Sequence, residues 1–167
     1  MAQSLNIQTG MKNPILRTVS TPVTEFKVEL RQLVNNMKLT LTEEKNGIGL
    51  AAPQVGINQQ VVLCKFAKNR EVTVLVNPQI IWHSEKTDFQ EEGCLSLPGV
   101  WAKVERFLNV KVKFQDIRGK SLILALSGID ARLVQHELDH LQAILFLDRA
   151  QGELVVDQNT DLKSLDL

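Results

Sequence analysis

Gln135-His136-Glu137-Leu138-Asp139-His140 is the stretch from which the rest of the chain is read. Two histidines four residues apart on a helix share one face and reach one metal ion. Glu137 follows about 100° further round, flanking the pair without having to be a ligand. This reading needs a helix, and the preceding residues supply one. Ser127-Gly128-Ile129-Asp130 has the pattern of a capping box, and Ile129, Leu133, His136 and His140 then recur along one inward face. The alternative, an unrelated pair of core or surface histidines, leaves the full His-Glu-x-x-His pattern without a reason.

Working outward, the period changes from helical to two. Val110-Lys111-Val112-Lys113-Phe114 alternates, a turn is expected from Asp116 to Lys120, and Leu122 to Leu126 returns as an antiparallel partner. Further upstream, the β-branched runs Val61 to Phe66 and Val72 to Val76 flank Lys68-Asn69-Arg70 and predict a hairpin, with Pro78 breaking the pattern. Phe26, Leu30, Leu33, Met37 and Leu41 form the stripe of an N-terminal helix opening near Thr24, with Asn46-Gly47 as a left-handed stop.

The 167 residues are enough for one core and too few for two. One folded domain is expected over 1–150, with 151–167 as a short polar tail, part of the same domain or partly ordered. Nineteen basic residues balance nineteen acidic ones, so no bulk field favours nucleic-acid or acidic-membrane binding, and neither partner is predicted. No apolar run of roughly 18 residues is present, and Met1 to Asn6 does not read as a signal peptide. The expected compartment is the cytoplasm, or an organelle if a transit segment has been removed. Two cysteines, Cys64 and Cys94, fit a reducing compartment better than a disulfide framework.

The helix offers two ligands, whereas a catalytic metal site usually has three protein ligands and one open position. Cys94, in Glu91-Glu92-Gly93-Cys94-Leu95-Ser96-Leu97-Pro98-Gly99, is the candidate third, on a loop expected to turn at Pro98-Gly99. Cys64, inside a predicted strand, reads as a small hydrophobe. Gly47-Ile48-Gly49-Leu50-Ala51-Ala52-Pro53-Gln54 is a third notable segment, with glycines that permit close backbone approach. It lacks both the third glycine of a dinucleotide fingerprint and the Gly-Lys-Ser/Thr of a phosphate loop.

Together these segments resemble the peptide deformylases, metal hydrolases that remove the formyl group from the N-terminal methionine of new polypeptides. Gly47 to Gln54 matches that family's Gly-apolar-Gly-apolar-Ala-Ala-x-Gln motif, Glu92 to Ser96 its Glu-Gly-Cys-apolar-Ser motif, and Gln135 to Leu141 its Gln-His-Glu-x-Asp-His-Leu motif, in the expected order. The resemblance implies an α+β fold with antiparallel β-sheets packed around a central metal-binding helix, plus an N-terminal helix. It implies Cys94, His136 and His140 as ligands to one divalent ion, Fe²⁺ in the cell, with Zn²⁺, Ni²⁺ or Co²⁺ accepted by the same donors. It implies Glu137 as the proton-transfer group, and Gln54 with the backbone N–H of Leu95 as the oxyanion hole. Ile48 and Gly49 would hold the extended substrate, with Ile129 and Leu133 walling a methionine pocket. Glu92 and Arg106 would pair and brace the Cys94 loop. The implied partners are N-formylmethionyl nascent peptides.

Three features depart from the family pattern. Trp101 replaces a common arginine that contacts the substrate peptide, and Ala143 replaces the glycine usual after the third motif. No basic C-terminal helix for ribosome docking follows Arg149, so any ribosome proximity is transient. Two other functions compete with this reading. A zinc peptidase of the His-Glu-x-x-His type would need a downstream ligand, for which only Glu153 is near, and would leave the other two motifs unused. An inactive deformylase-like metal-binding protein should have lost Gln54, Glu137 or a ligand, and all are present.

Overall fold

A computed structural model describes residues 2–68 and 71–167. Two helices, α1 (Val28–Glu43) and α2 (Gly128–Leu141), accompany eight strands: β1 (Gly49–Ala51), β2 (Val61–Cys64), β3 (Thr73–His83), β4 (Thr87–Cys94), β5 (Leu97–Phe107), β6 (Asn109–Gln115), β7 (Ser121–Ser127) and β8 (Ala150–Val156). One sheet has the order β1-β2-β3-β6-β7 and the other β4-β5-β8, with every pairing antiparallel. The fold is therefore α+β, with the two site histidines on α2. Among the described residues no helix is long and apolar enough to cross a membrane.

The sandwiching of the first sheet explains the unbroken apolar run in β2. Val61 and Leu63 join Leu30, Val34, Met37 and Leu41 of α1 in one core, while Val62 and Cys64 join Ala131 and Val134 of α2 in another. A strand covered on both faces has no solvent side on which to alternate, so all four of its residues are buried. β6 is covered on one face only, and it keeps its clean alternation. A third core lies under the second sheet, where Leu97, Val100, Ala102 and Val104 meet Leu16, Phe146 and Leu165.

Several local expectations need correction. α1 begins at Val28 rather than near Thr24, and it ends with Glu44 in an extended conformation rather than through a left-handed Asn46-Gly47 stop. The β2–β3 hairpin forms, with Asn69 and Arg70 of its turn outside the described residues. Pro78 does not end β3. The strand absorbs it at a register shift between Val76 and Gln79, where Asn77 takes a left-handed φ of 49°. The Cys94 segment is likewise no loose loop: β4 and β5 form a hairpin whose turn is Leu95-Ser96, and Pro98-Gly99 lies inside β5.

Ser127 caps α2 without a side-chain hydrogen bond, so the expected capping box is not made. Asp130 instead accepts from the backbone N–H of Ala67 at 2.9 Å. The polar composition after Gln151 concealed a strand. β8 pairs with β5, and Leu165 is buried in the third core.

Candidate metal centre

α2 brings His136 and His140 to one face, their ring centroids 5.1 Å apart. Cys94 arrives from the end of β4, where a register shift between Gly93 and Cys94 tightens the hairpin. One ligand atom from each of Cys94, His136 and His140 lies within 4.8 Å of the others, and Cys94 Sγ is 3.3 Å from His140 Nε2. Among the described residues this is the one group of three possible ligands found, and Glu153, on β8, is exposed and not part of it. The third ligand that a peptidase would draw from downstream comes instead from the upstream hairpin.

The electrostatics suit a cation. Burial would raise the Cys94 thiol, but the charges and hydrogen bonds of His140 and His136 outweigh it and hold the group well below the usual thiol range. Burial would lower His136, yet its hydrogen bonds to Cys94 and Glu92 hold it well above the usual imidazole range. A thiolate and two imidazoles converging in one cluster are a donor set for a soft or borderline divalent ion.

Glu92 organises the surroundings. Its Oε2 is 2.9 Å from His136 Nδ1 and accepts from Arg106 Nη2 at 3.0 Å, while Oε1 accepts from Arg106 Nε at 2.9 Å and Arg132 Nη1 at 2.7 Å. His136 and Arg106 overcome the burial that would otherwise raise it, and hold its carboxyl far below the usual range. Arg106 also donates to Asp139, which accepts from Arg149 at 2.7 and 2.8 Å. The expected Glu92–Arg106 pair is thus one edge of a larger network. Arg132 escaped the sequence reading. It stands one turn before His136 on the same helix, and a basic residue at that spacing on a buried face is the signal that would have found it.

The remaining candidates line one cavity of about 400 Å³, with Ile48, Gly49, Leu95, Ile129, Leu133 and Glu137 in its walls. Glu137 is 3% exposed, its Oε2 is without a hydrogen-bond partner among the described residues, and burial pushes its carboxyl up to about 7. Gly49 is required here, because a Cβ on it would collide with Glu137 Oε1 and come within 2.7 Å of Leu133 Cδ1. Gln54 Oε1 accepts from Ala51 N at 2.8 Å, which turns its Nε2 toward the hairpin, 3.2 Å from Ser96 Oγ and 3.5 Å from Cys94 Sγ. Ile129 is half exposed at the cavity rim. The cavity is bordered by β1 and β4, both edge strands of their sheets.

Comparison with known proteins places this architecture. Residues 6–154 match the family model described as polypeptide deformylase. The chain is 41% identical over 157 residues to a chloroplastic peptide deformylase 1B of rice, covering 92% of this chain and 58% of the rice protein. It is 42% identical over 137 residues to a peptide deformylase of Thermotoga neapolitana, covering 82% of each. A class I type b peptide deformylase from Acinetobacter baumannii, solved with Met-Ala-Ser bound, superposes with a TM-score of 0.81 at 36% identity over 89% of this chain and 99% of that one.

Proposed function

The chain belongs to the peptide deformylase family and carries a metal-binding hydrolase site, and on that premise we propose that it removes the formyl group from N-formylmethionyl peptides and releases formate. The observation that carries this reading is the convergence of Cys94, His136 and His140 beside buried Glu137, at the floor of a cavity flanked by two strand edges. Met-Ala-Ser is what such a reaction leaves when formate departs from formyl-Met-Ala-Ser, and it is bound in the Acinetobacter relative.

The thiolate and the two imidazoles would hold a divalent ion, which when bound supplies Lewis-acid polarisation of the formyl oxygen and an acidified water. Iron is the ion we assign in the cell, with zinc, nickel and cobalt compatible with the same donors. Glu137 takes the proton from the attacking water and delivers it to the departing amine nitrogen, as base and then acid. Its elevated protonation range suits both halves of that task. Gln54 Nε2 and the N–H of Leu95 face the developing oxyanion. The peptide enters extended, adding to the free edges of β1 and β4 through Ile48, Gly49 and the Gly93 strand, and its methionine side chain fills the space beside Ile129 and Leu133. Glu92, held by Arg106 and Arg132, fixes the ring of His136. The relatives carry bacterial and chloroplastic names, in line with a cytoplasmic or organellar enzyme.

The test is formate release from formyl-Met-Ala-Ser by anaerobically prepared, metal-loaded protein, with the peptide product identified by mass. Formate with intact Met-Ala-Ser supports the assignment, and cleavage between residues, or no reaction with any of the four metals, overturns it.

A further inference from the structure

We propose that Lys65 is a positioning residue for substrate binding, whose ammonium clamps the Gly47–Ile48 segment onto the end of α1 and thereby sets the wall that receives the first residue of the peptide. The inference rests on reading the cavity beside Glu137 as the formylmethionyl site. Its geometry is independent of that reading. β2 ends at Cys64, which pairs with Gly49 at the start of β1. The next residue carries the ladder one step further, since the backbone N–H of Lys65 donates to Ile48 O at 2.7 Å. Its side chain then turns over the loop, and Nζ donates to Gly47 O at 2.9 Å and to Leu41 O at 3.0 Å.

Leu41 belongs to the last turn of α1, whose carbonyls lack partners within the helix and form the negative end of its dipole. α1 has no basic residue of its own in that turn. Lys65 supplies the missing cation from the neighbouring strand and uses the same ammonium to hold Gly47. The segment is pressed close, for a Cβ on Gly47 would stand 3.0 Å from both Leu41 Cδ1 and Glu44 Cβ. Three successive residues are thus fixed. Gly47 is held by the Lys65 side chain, Ile48 by the Lys65 backbone, and Gly49 lies against Glu137. Ile48, about half exposed, projects from this clamped segment and lines the cavity.

Removing the ammonium frees two carbonyls and loosens the wall, while His136 keeps its Glu92 contact and Gln54 its bonds to Ala51 and Ser96. Contacts made by that wall hold substrate and transition state alike, so their loss raises KM and spares kcat.

The experiment compares wild type, Lys65→Met and Lys65→Arg in the metal-loaded state, measuring kcat and KM for formyl-Met-Ala-Ser together with amide hydrogen exchange of residues 44–50. Lys65→Met, which keeps the aliphatic stem, is expected to raise KM about tenfold with kcat within about twofold, to speed exchange in that segment, and to be rescued by Lys65→Arg. Should Lys65→Met fail to fold, Lys65→Gln, too short to span both carbonyls, is expected to shift KM in the same direction by a smaller factor. An unchanged KM with unchanged exchange, or a fall in kcat as large as the fall in kcat/KM, overturns the clamp. If wild type itself releases no formate, the proposed function fails, and the exchange comparison still decides the clamp.

Discussion

Glu92 Oε2 stands 2.9 Å from His136 Nδ1, so the residue two places before the cysteine on the hairpin orients a ligand on the helix. The two halves of the site are thereby joined through a carboxylate as well as through the metal position. Glu92→Gln keeps the shape and removes the charge that holds His136, Arg106 and Arg132 together. Metal affinity should fall about 10–100-fold, as is usual when such an outer partner is lost. Competition with a calibrated chelator measures it, and an unchanged dissociation constant would show that the His136 ring is fixed by other means.

Glu137 lines the cavity beside the ligands without joining them, and its Oε2 has no hydrogen-bond partner among the described residues. Glu137→Ala should therefore retain a full equivalent of metal and lose about 10²–10⁴ of turnover, the usual contribution of a proton-transfer group. Near-normal formate release from the metal-loaded variant would refute its role.

The same carboxyl predicts a pH dependence of stability in metal-free protein. Folded, Glu137 keeps its proton up to about pH 7, whereas its ordinary value is 4.5. Between those values the folded state binds more protons than the unfolded chain, so the contribution of this group declines as pH rises through the window. The whole decline is on the order of 3 kcal/mol. Urea unfolding of metal-free wild type and Glu137→Gln between pH 4 and 8 should show the variant gaining relative stability with pH. A difference that stays flat would mean that Glu137 ionises normally in the fold.

Ala143 occupies a place that suits glycine. After α2 its N–H donates to His140 O at 3.2 Å and that of Ile144 to Asp139 O at 3.0 Å, the two bonds of a Schellman closure, and Ala143 takes a φ of +60°. A left-handed alanine costs about 1–2 kcal/mol, partly offset because glycine loses more entropy on folding. Ala143→Gly should raise stability by about 1 kcal/mol, or roughly 2–4 °C in Tm for a chain of this size. Thermal unfolding that shows a loss instead would mean that the alanine methyl packs well enough to offset the strain.

Much of the site was legible because its chemistry is local. The His136–His140 spacing, the cysteine between Gly93 and Leu95, and the β6 alternation each depend on neighbours in sequence. What escaped depends on partners far along the chain. Arg132 reads as a helix-surface charge until the hairpin folds over it and presents Glu92 and Asp88, forty and forty-four residues away. Lys65 looks like a polar interruption at the end of an apolar run, and only the return of α1 shows what its ammonium holds. Pro78 signals a strand end when backbone bonding alone is considered, whereas a bulge lets β3 run past it to His83. β8 has exposed residues along nearly its whole length, so it carries no apolar alternation for a sequence to display.

The two cysteines should part company under oxidation. Reactivity follows thiolate character and access. Cys94 is only partly buried and is held well below the usual thiol range by His140 and His136 against the opposing effect of burial. Cys64 is fully buried on β2, and burial, followed by the charges of Glu137 and Asp130, pushes its thiol well above that range. Oxidant should therefore convert Cys94 along the sulfenic-to-sulfonic ladder while Cys64 stays reduced. The bound ion decides how fast. Iron has an accessible oxidation step next to the thiolate, so iron-loaded protein should lose activity in air and gain oxygen atoms at Cys94, whereas nickel-loaded protein should keep both activity and thiolate for longer. Zinc, with no redox step, should protect the thiol as well. A side-by-side time course in air, with peptide mass spectrometry of both cysteines, is the measurement. Equal decay of the iron and nickel forms would show that the ion does not govern the loss, and modification of Cys64 ahead of Cys94 would show that the environment of the thiol does not.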